Sequence, residues 1–103
     1  MKQTITDRGF EYIDFEDSYN NNCSIQKSSL ADEDTIWFGI NNIEPKIMAQ
    51  DAKKVGIKTE QEVGWIEYPI PKEVFINTRM HLNQEQVKEL IPILQKFVET
   101  GEI

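Results

Sequence analysis

Hydrophobic and polar positions alternate with a period of two through much of the first 40 residues. Phe10, Tyr12, Ile13 and Phe15 favour a strand over Gly9–Phe15. The run Ser18-Tyr19-Asn20-Asn21-Asn22 predicts a turn, because Asn tolerates positive φ and its side chain bonds nearby backbone. Cys23–Leu30 is then the second arm of a hairpin. After a turn at Asp32-Glu33-Asp34, Thr35–Ile40 reads as a third strand, with Ile36, Phe38 and Ile40 on one face and Trp37 on the other.

The period changes beyond Asn42. Pro45 suits a first helical turn, Ile47, Met48, Asp51, Ala52 and Val55 have helical spacing, and Gly56 is a natural C-terminal cap. Lys58–Val63 is polar and predicts a loop. Trp65–Ile70 is a candidate edge strand limited by Pro69 and Pro71. Val74–Leu82 gives the cleanest alternation in the chain: Val74, Ile76, Thr78, Met80 and Leu82 point one way, and Phe75, Asn77, Arg79 and His81 the other.

A final helix has clear ends. Asn83 is an N-cap with Gln86 three residues on, and Gly101 stops the helix. Val87, Leu90, Ile91, Leu94, Phe97 and Val98 fall on one face, which predicts a buried stripe. Pro92 removes the bond to the Lys88 carbonyl and predicts a kink. The order strands, helix, strands, helix implies an α+β fold, an antiparallel sheet flanked by two helices, built as one domain over residues 1–103.

Composition narrows the function classes. A chain of 103 residues with 39% hydrophobic residues and ten aromatic side chains can build one core, so disorder is not expected. The single cysteine, Cys23, excludes an internal disulfide framework and suits a reducing cytoplasm. No secretory leader or membrane span is expected from the hydropathy. The net charge of −7 disfavours binding to nucleic acid, whose phosphates it repels. The acidic groups Asp14/Glu16/Asp17 and Asp32/Glu33/Asp34 read as solvated turns.

Little points to catalysis. One histidine and one cysteine supply no zinc-ligand set, and Cys23 with His81 has no third orienting group to complete a nucleophile–base system. The glycines are isolated and form no phosphate loop. No catalytic residue, metal or cofactor is expected.

The second face of the Val74–Leu82 strand carries binding chemistry. Phe75, Asn77, Arg79 and His81 stand in a row, about 7 Å between successive members. An aromatic ring stacks on a base, an amide reads its polar edge, and a guanidinium grips phosphate. The plain alternative is a half-exposed sheet face, or one buried by Trp65 and a helix. Lys27 and Ser28, within Cys23-Ser24-Ile25-Gln26-Lys27-Ser28-Ser29, form a second candidate anion contact, against an ordinary exposed lysine at a serine-rich strand end. Trp37, beside Gly39, is a candidate stacking platform.

The segments Cys23-Ser24-Ile25-Gln26-Lys27-Ser28-Ser29-Leu30-Ala31, Ile36-Trp37-Phe38-Gly39, Pro45-Lys46-Ile47-Met48, Gly64-Trp65, Tyr68-Pro69-Ile70-Pro71 and Thr78-Arg79-Met80-His81-Leu82 together resemble a family of small phage and prophage proteins. The resemblance spans nearly the whole chain and is greatest to the anti-Thoeris signal-sequestering proteins, or sponges. It implies a cytoplasmic protein of the infected cell that binds a cyclic ADP-ribose-type signal without degrading it. It also implies a homo-oligomer, a dimer or larger, with paired nucleotide pockets and no catalytic residues. Two other readings stay open at this stage: an acidic inhibitor that blocks a host defence protein by direct contact, and a phosphodiesterase-like enzyme acting on the signal.

Overall fold

Strand pairing between residues far apart in sequence sets the architecture. A computed structural model of the chain describes residues 1–7, 9, 11–28 and 32–103, and of Lys2 only the backbone. Phe10 of the first expected strand, Ser29 and Leu30 at the end of the second, and Ala31 after it lie outside the described residues. The elements in chain order are β1 (Lys2–Ile5), β2 (Glu11–Glu16), β3 (Asn22–Lys27), β4 (Thr35–Ile40), β5 (Lys46–Met48), a 3₁₀ helix (Ala49–Val55), β6 (Trp65–Glu67), β7 (Arg79–Asn83) and α1 (Gln84–Thr100). The fold is α+β, with antiparallel pairing throughout. The chain divides into two compact units, one of Met1–Asn41 with Thr78–Ile103 and the other of Asn42–Asn77.

The first unit is a five-stranded sheet in the order β1-β2-β3-β4-β7, followed by α1. The β2–β3 hairpin closes through Asp17. Its carboxylate accepts the Tyr19 and Asn21 backbone N–H groups, each at 2.9 Å, and the Asn21 side-chain amide at 3.0 Å. Asn20 takes the positive φ of 64° that the turn needs. The pairing places residues in rows across the sheet. One row is Ile13, Ile25, Phe38 and Met80, and its neighbour on the other face is Tyr12, Gln26, Trp37 and His81. One face is therefore apolar and the other polar, as alternation requires.

The expected strand over Val74–Leu82 is shorter than its pattern suggested. Only Arg79–Asn83 pairs; the register puts Ile40, the last residue of β4, opposite Thr78, and β4 offers no partner to Val74–Asn77. Val74 and Ile76 are exposed and form no strand face. β1, which the sequence reading did not separate, pairs with β2 from Lys2 opposite Asp14 to Ile5 opposite Glu11.

Among the described residues the chain has two helical segments, one in each unit. One α-helix follows β7, and the other helical segment is the 3₁₀ helix of the second unit. The caps of α1 agree with the sequence. The Asn83 side chain accepts from the Gln86 N–H and the Gln86 side chain accepts from the Asn83 N–H, each at 2.9 Å, and Gly101 adopts a left-handed C-cap with φ of 76°. The stripe of α1 is not buried, however. No residue of the helix is, although Val87 and Leu90 are half-buried.

In the second unit β5 pairs with β6, Ile47 opposite Ile66. The helix expected from Ile47 begins instead at Ala49, since Lys46–Met48 is extended and paired. Ala49 and Ala52 are its buried residues, and Gly56 caps it with φ of 78°.

Candidate functional site

The polar face of the sheet gathers three of the candidate residues, Arg79, Trp37 and His81. Arg79, Gly39, Ser24 and Asp14 form one row across β7, β4, β3 and β2. Gly39 sits directly between Arg79 and Ser24 and has no side chain, so the guanidinium lies across β4 and reaches β3. Arg79 Nη1 donates to Ser24 Oγ at 3.2 Å and to Gln26 Oε1 at 2.9 Å. The backbone also fits only glycine here. Gly39 has φ of 145°, and a Cβ would stand 3.2 Å from the Thr78 carbonyl oxygen and 3.3 Å from Arg79 Cα.

Behind Ser24 a polar chain continues. Ser24 is fully buried (0% exposed), and its hydroxyl donates to Asn41 Oδ1 at 2.5 Å. The Asn41 amide donates to the Tyr12 hydroxyl at 3.4 Å, and Thr78 Oγ1 donates to the Asn41 carbonyl, also at 3.4 Å. Asn41 thus ties the end of β4 to β2 and to the start of β7.

An aromatic pair lies beside the guanidinium. The Trp37 and His81 rings stack with centroids 4.2 Å apart and planes 10° from parallel. Arg79 Cζ is 5.6 Å from the Trp37 centroid, within cation–π range. His81 Nε2 shares a hydrogen bond of 2.7 Å with the buried Thr35 hydroxyl.

Among the described residues no carboxylate lies within ion-pair distance of Arg79. Asp14, on the same face, is the cross-strand neighbour of Ser24, one strand beyond the point the guanidinium reaches, and forms no ion pair with it. The half-buried guanidinium therefore has neutral oxygens as partners at Nη1, and its remaining N–H groups meet no acceptor among the described residues. In a partly desolvated position such a group attracts a phosphate or carboxylate bidentately.

The other candidates are distributed differently. Phe75 and Asn77 belong to the second unit, lie outside any strand, and are exposed, Phe75 by 87%. They do not extend the row of Arg79 and His81 along β7. Lys27 points to the apolar face and pairs with Asp34 at 2.6 Å, a contact that holds the Asp34 carboxyl below its ordinary range by hydrogen bonding first and charge second. Ser28 is buried at the end of β3, where its N–H donates to the Thr35 carbonyl. Cys23 is buried on the apolar side, its thiol 3.5 Å from the Asn21 carbonyl, so the sheet separates it from His81. Ser24, Gln26, Thr35 and Asn41 are site residues the sequence reading did not select. Alternation along Cys23–Lys27 already sets Ser24 and Gln26 on one side, but only the register with β4 puts them beside Trp37 and Arg79.

Among the described residues no three His, Cys, Asp or Glu side chains come together as a metal-binding group, and no helix is long and apolar enough to cross a membrane. No protein-family model matches the chain, and no curated protein or solved structure does either.

Proposed function

We propose that the chain is a binding protein that captures a small phosphate-bearing ligand on the Arg79 face and holds it without cleaving it. The observation that carries this reading is half-buried Arg79, its guanidinium fixed on Ser24 and Gln26 and flanked by the stacked Trp37–His81 pair, with no carboxylate among the described residues in ion-pair contact. A preorganised cation beside aromatic rings suits a nucleotide, whose phosphate and base need those two kinds of contact. The resemblance to phage signal-sequestering proteins narrows the ligand to a cyclic ADP-ribose-type immune signal, bound in the cytoplasm of the infected cell.

A sequestering protein must hold its signal at submicromolar Kd, more than about 8 kcal/mol. Calorimetric titration with cyclic ADP-ribose isomers, followed by heat denaturation and chromatography of the released ligand, tests both halves of the proposal. Tight binding with intact ligand recovered is the expected result. Absence of binding at millimolar ligand, or recovery of an opened or hydrolysed product, would overturn it.

A further inference from the structure

Each hydrogen bond around Arg79 has only one direction open to it. A guanidinium carries N–H groups and no acceptor. Gln26 must therefore turn its carbonyl oxygen to Arg79 Nη1, at 2.9 Å, which leaves its amide NH2 for another partner. Ser24 Oγ likewise accepts from Nη1, at 3.2 Å. The Ser24 side chain is fully buried, so its hydroxyl proton needs an acceptor, and among the described residues Asn41 Oδ1 supplies it. That orients Asn41 in turn. Its amide NH2 donates to the Tyr12 oxygen at 3.4 Å, and the Tyr12 hydroxyl proton is directed elsewhere.

The bonds run from Arg79 through Ser24 and Asn41 to Tyr12, and the last group is an O–H. Among the described residues nothing accepts that proton, and nothing accepts from the Gln26 amide. Tyr12 and Gln26 are cross-strand partners, both half-buried, and Gln26 is opposite Trp37 in the same row. Both protons of Arg79 Nη1 are engaged, while the fork of Nε and Nη2 stays free. Uncharged donors therefore stand next to the open edge of the guanidinium.

We propose that Gln26 and Tyr12 form a second, uncharged donor subsite beside Arg79, so that this face prefers a ligand with two neighbouring phosphoryl groups, a diphosphate, over one with a single phosphate. The proposal rests on the anion-binding reading of Arg79 and adds to it the residues that choose among anions. One phosphoryl group on the Nε/Nη2 fork offers two oxygens to two N–H groups. The Gln26 and Tyr12 donors are then satisfied only by further acceptor oxygens of the same ligand, and a second phosphoryl group joined through a shared oxygen carries them. Asp14, two residues along β2 from Tyr12, is exposed on the same face. Its charge opposes either anion, and solvent screens it.

Titration calorimetry of the full chain with inorganic phosphate and inorganic pyrophosphate tests this. The unaltered protein is expected to bind pyrophosphate at least tenfold more tightly. Pyrophosphate also carries the greater charge, so a variant of unchanged charge is needed. Tyr12→Phe removes one O–H and no charge, and is expected to weaken pyrophosphate roughly tenfold and narrow the ratio. Gln26→Glu sets a carboxylate against the guanidinium and removes the NH2 donors, and is expected to weaken both anions at least tenfold. In a nitrogen–proton correlation spectrum of the unaltered protein, pyrophosphate is expected to shift the Gln26 side-chain NH2 signals further than phosphate does. That readout stands even if Tyr12→Phe fails to fold. An unchanged ratio in Tyr12→Phe, unchanged affinities in Gln26→Glu, or equal Gln26 shifts with the two anions would overturn the inference and leave Arg79 as a simple anion contact. Binding of neither anion by the unaltered protein would overturn it together with the reading it rests on.

Discussion

The imidazole of His81 lies flat on the indole of Trp37 while its Nε2 shares a hydrogen bond with the buried hydroxyl of Thr35. One side chain therefore joins β7 to β4 twice, through ring contact and through a polar bond. His81→Ala removes both and leaves Thr35 Oγ1 buried without a partner, a loss expected to cost about 1–3 kcal/mol. His81→Phe keeps the stack and loses the bond, so its cost should fall between parent and alanine variant. Urea denaturation followed by tryptophan emission measures all three. Equal midpoints for the three proteins would show that the pair contributes nothing to stability.

Gly39 positions Arg79 by having no side chain. Gly39→Ala puts a Cβ 3.2 Å from the Thr78 carbonyl in a backbone conformation with φ of 145°. β7 must then move away from β4 or the local backbone must change. The expected cost is about 1–3 kcal/mol, as for other side chains forced into glycine-only backbone. The change should also separate Arg79 from Ser24, and amide shifts at Ser24, Gln26 and Arg79 would record it. An alanine variant with parental stability and unshifted amides would sink this account.

Asp17 makes the β2–β3 turn pH-dependent. Its carboxyl is held below its ordinary range, first by the Asn21 side-chain amide and then by the Asn21 backbone N–H. A carboxyl depressed in the folded state adds stability that is present above its unfolded pKa and is lost as pH falls through the folded one. Acidification into and below the ordinary carboxylate range should therefore loosen the turn. An NMR titration that follows the Asp17 carboxyl and the Tyr19 and Asn21 amides together checks this. Asp17→Asn should abolish that part of the pH dependence, and a variant with the parental acid transition at those amides would refute the assignment.

Local rules made some elements legible and left others hidden. Asn83, Gln86 and Gly101 announce the ends of α1 because capping needs only neighbours in sequence. The faces of β4 and the positions of Arg79 and His81 followed from alternation alone. Alternation failed at Val74–Asn77, since a strand also needs a partner and β4 is only six residues long. Phe75 and Asn77 were assigned to the site on that missing pairing. Ser24, Gln26 and Asn41 were overlooked for the converse reason: they reach Arg79 only through the β3–β4–β7 register, which no local pattern encodes. The apolar stripe of α1 was equally plain in the sequence, but periodicity says that a face should be buried and not which surface buries it.

Arg79 separates a binding role from a structural one. Its guanidinium stays half-exposed and bonds neutral groups, and Ser24 keeps its bond to Asn41 when the arginine is removed. Arg79→Ala should therefore lower folding stability by no more than about 1 kcal/mol. Loss of a charge-assisted contact to phosphate should weaken the cyclic nucleotide by about 1.5–3 kcal/mol, roughly ten- to a hundredfold in Kd. Arg79→Lys keeps the charge without the planar fork and should recover only part of that loss. Titration calorimetry and thermal melts on the three proteins give both quantities. If Arg79→Ala unfolds readily yet binds with parental affinity per folded molecule, the arginine serves the sheet and the ligand site lies elsewhere.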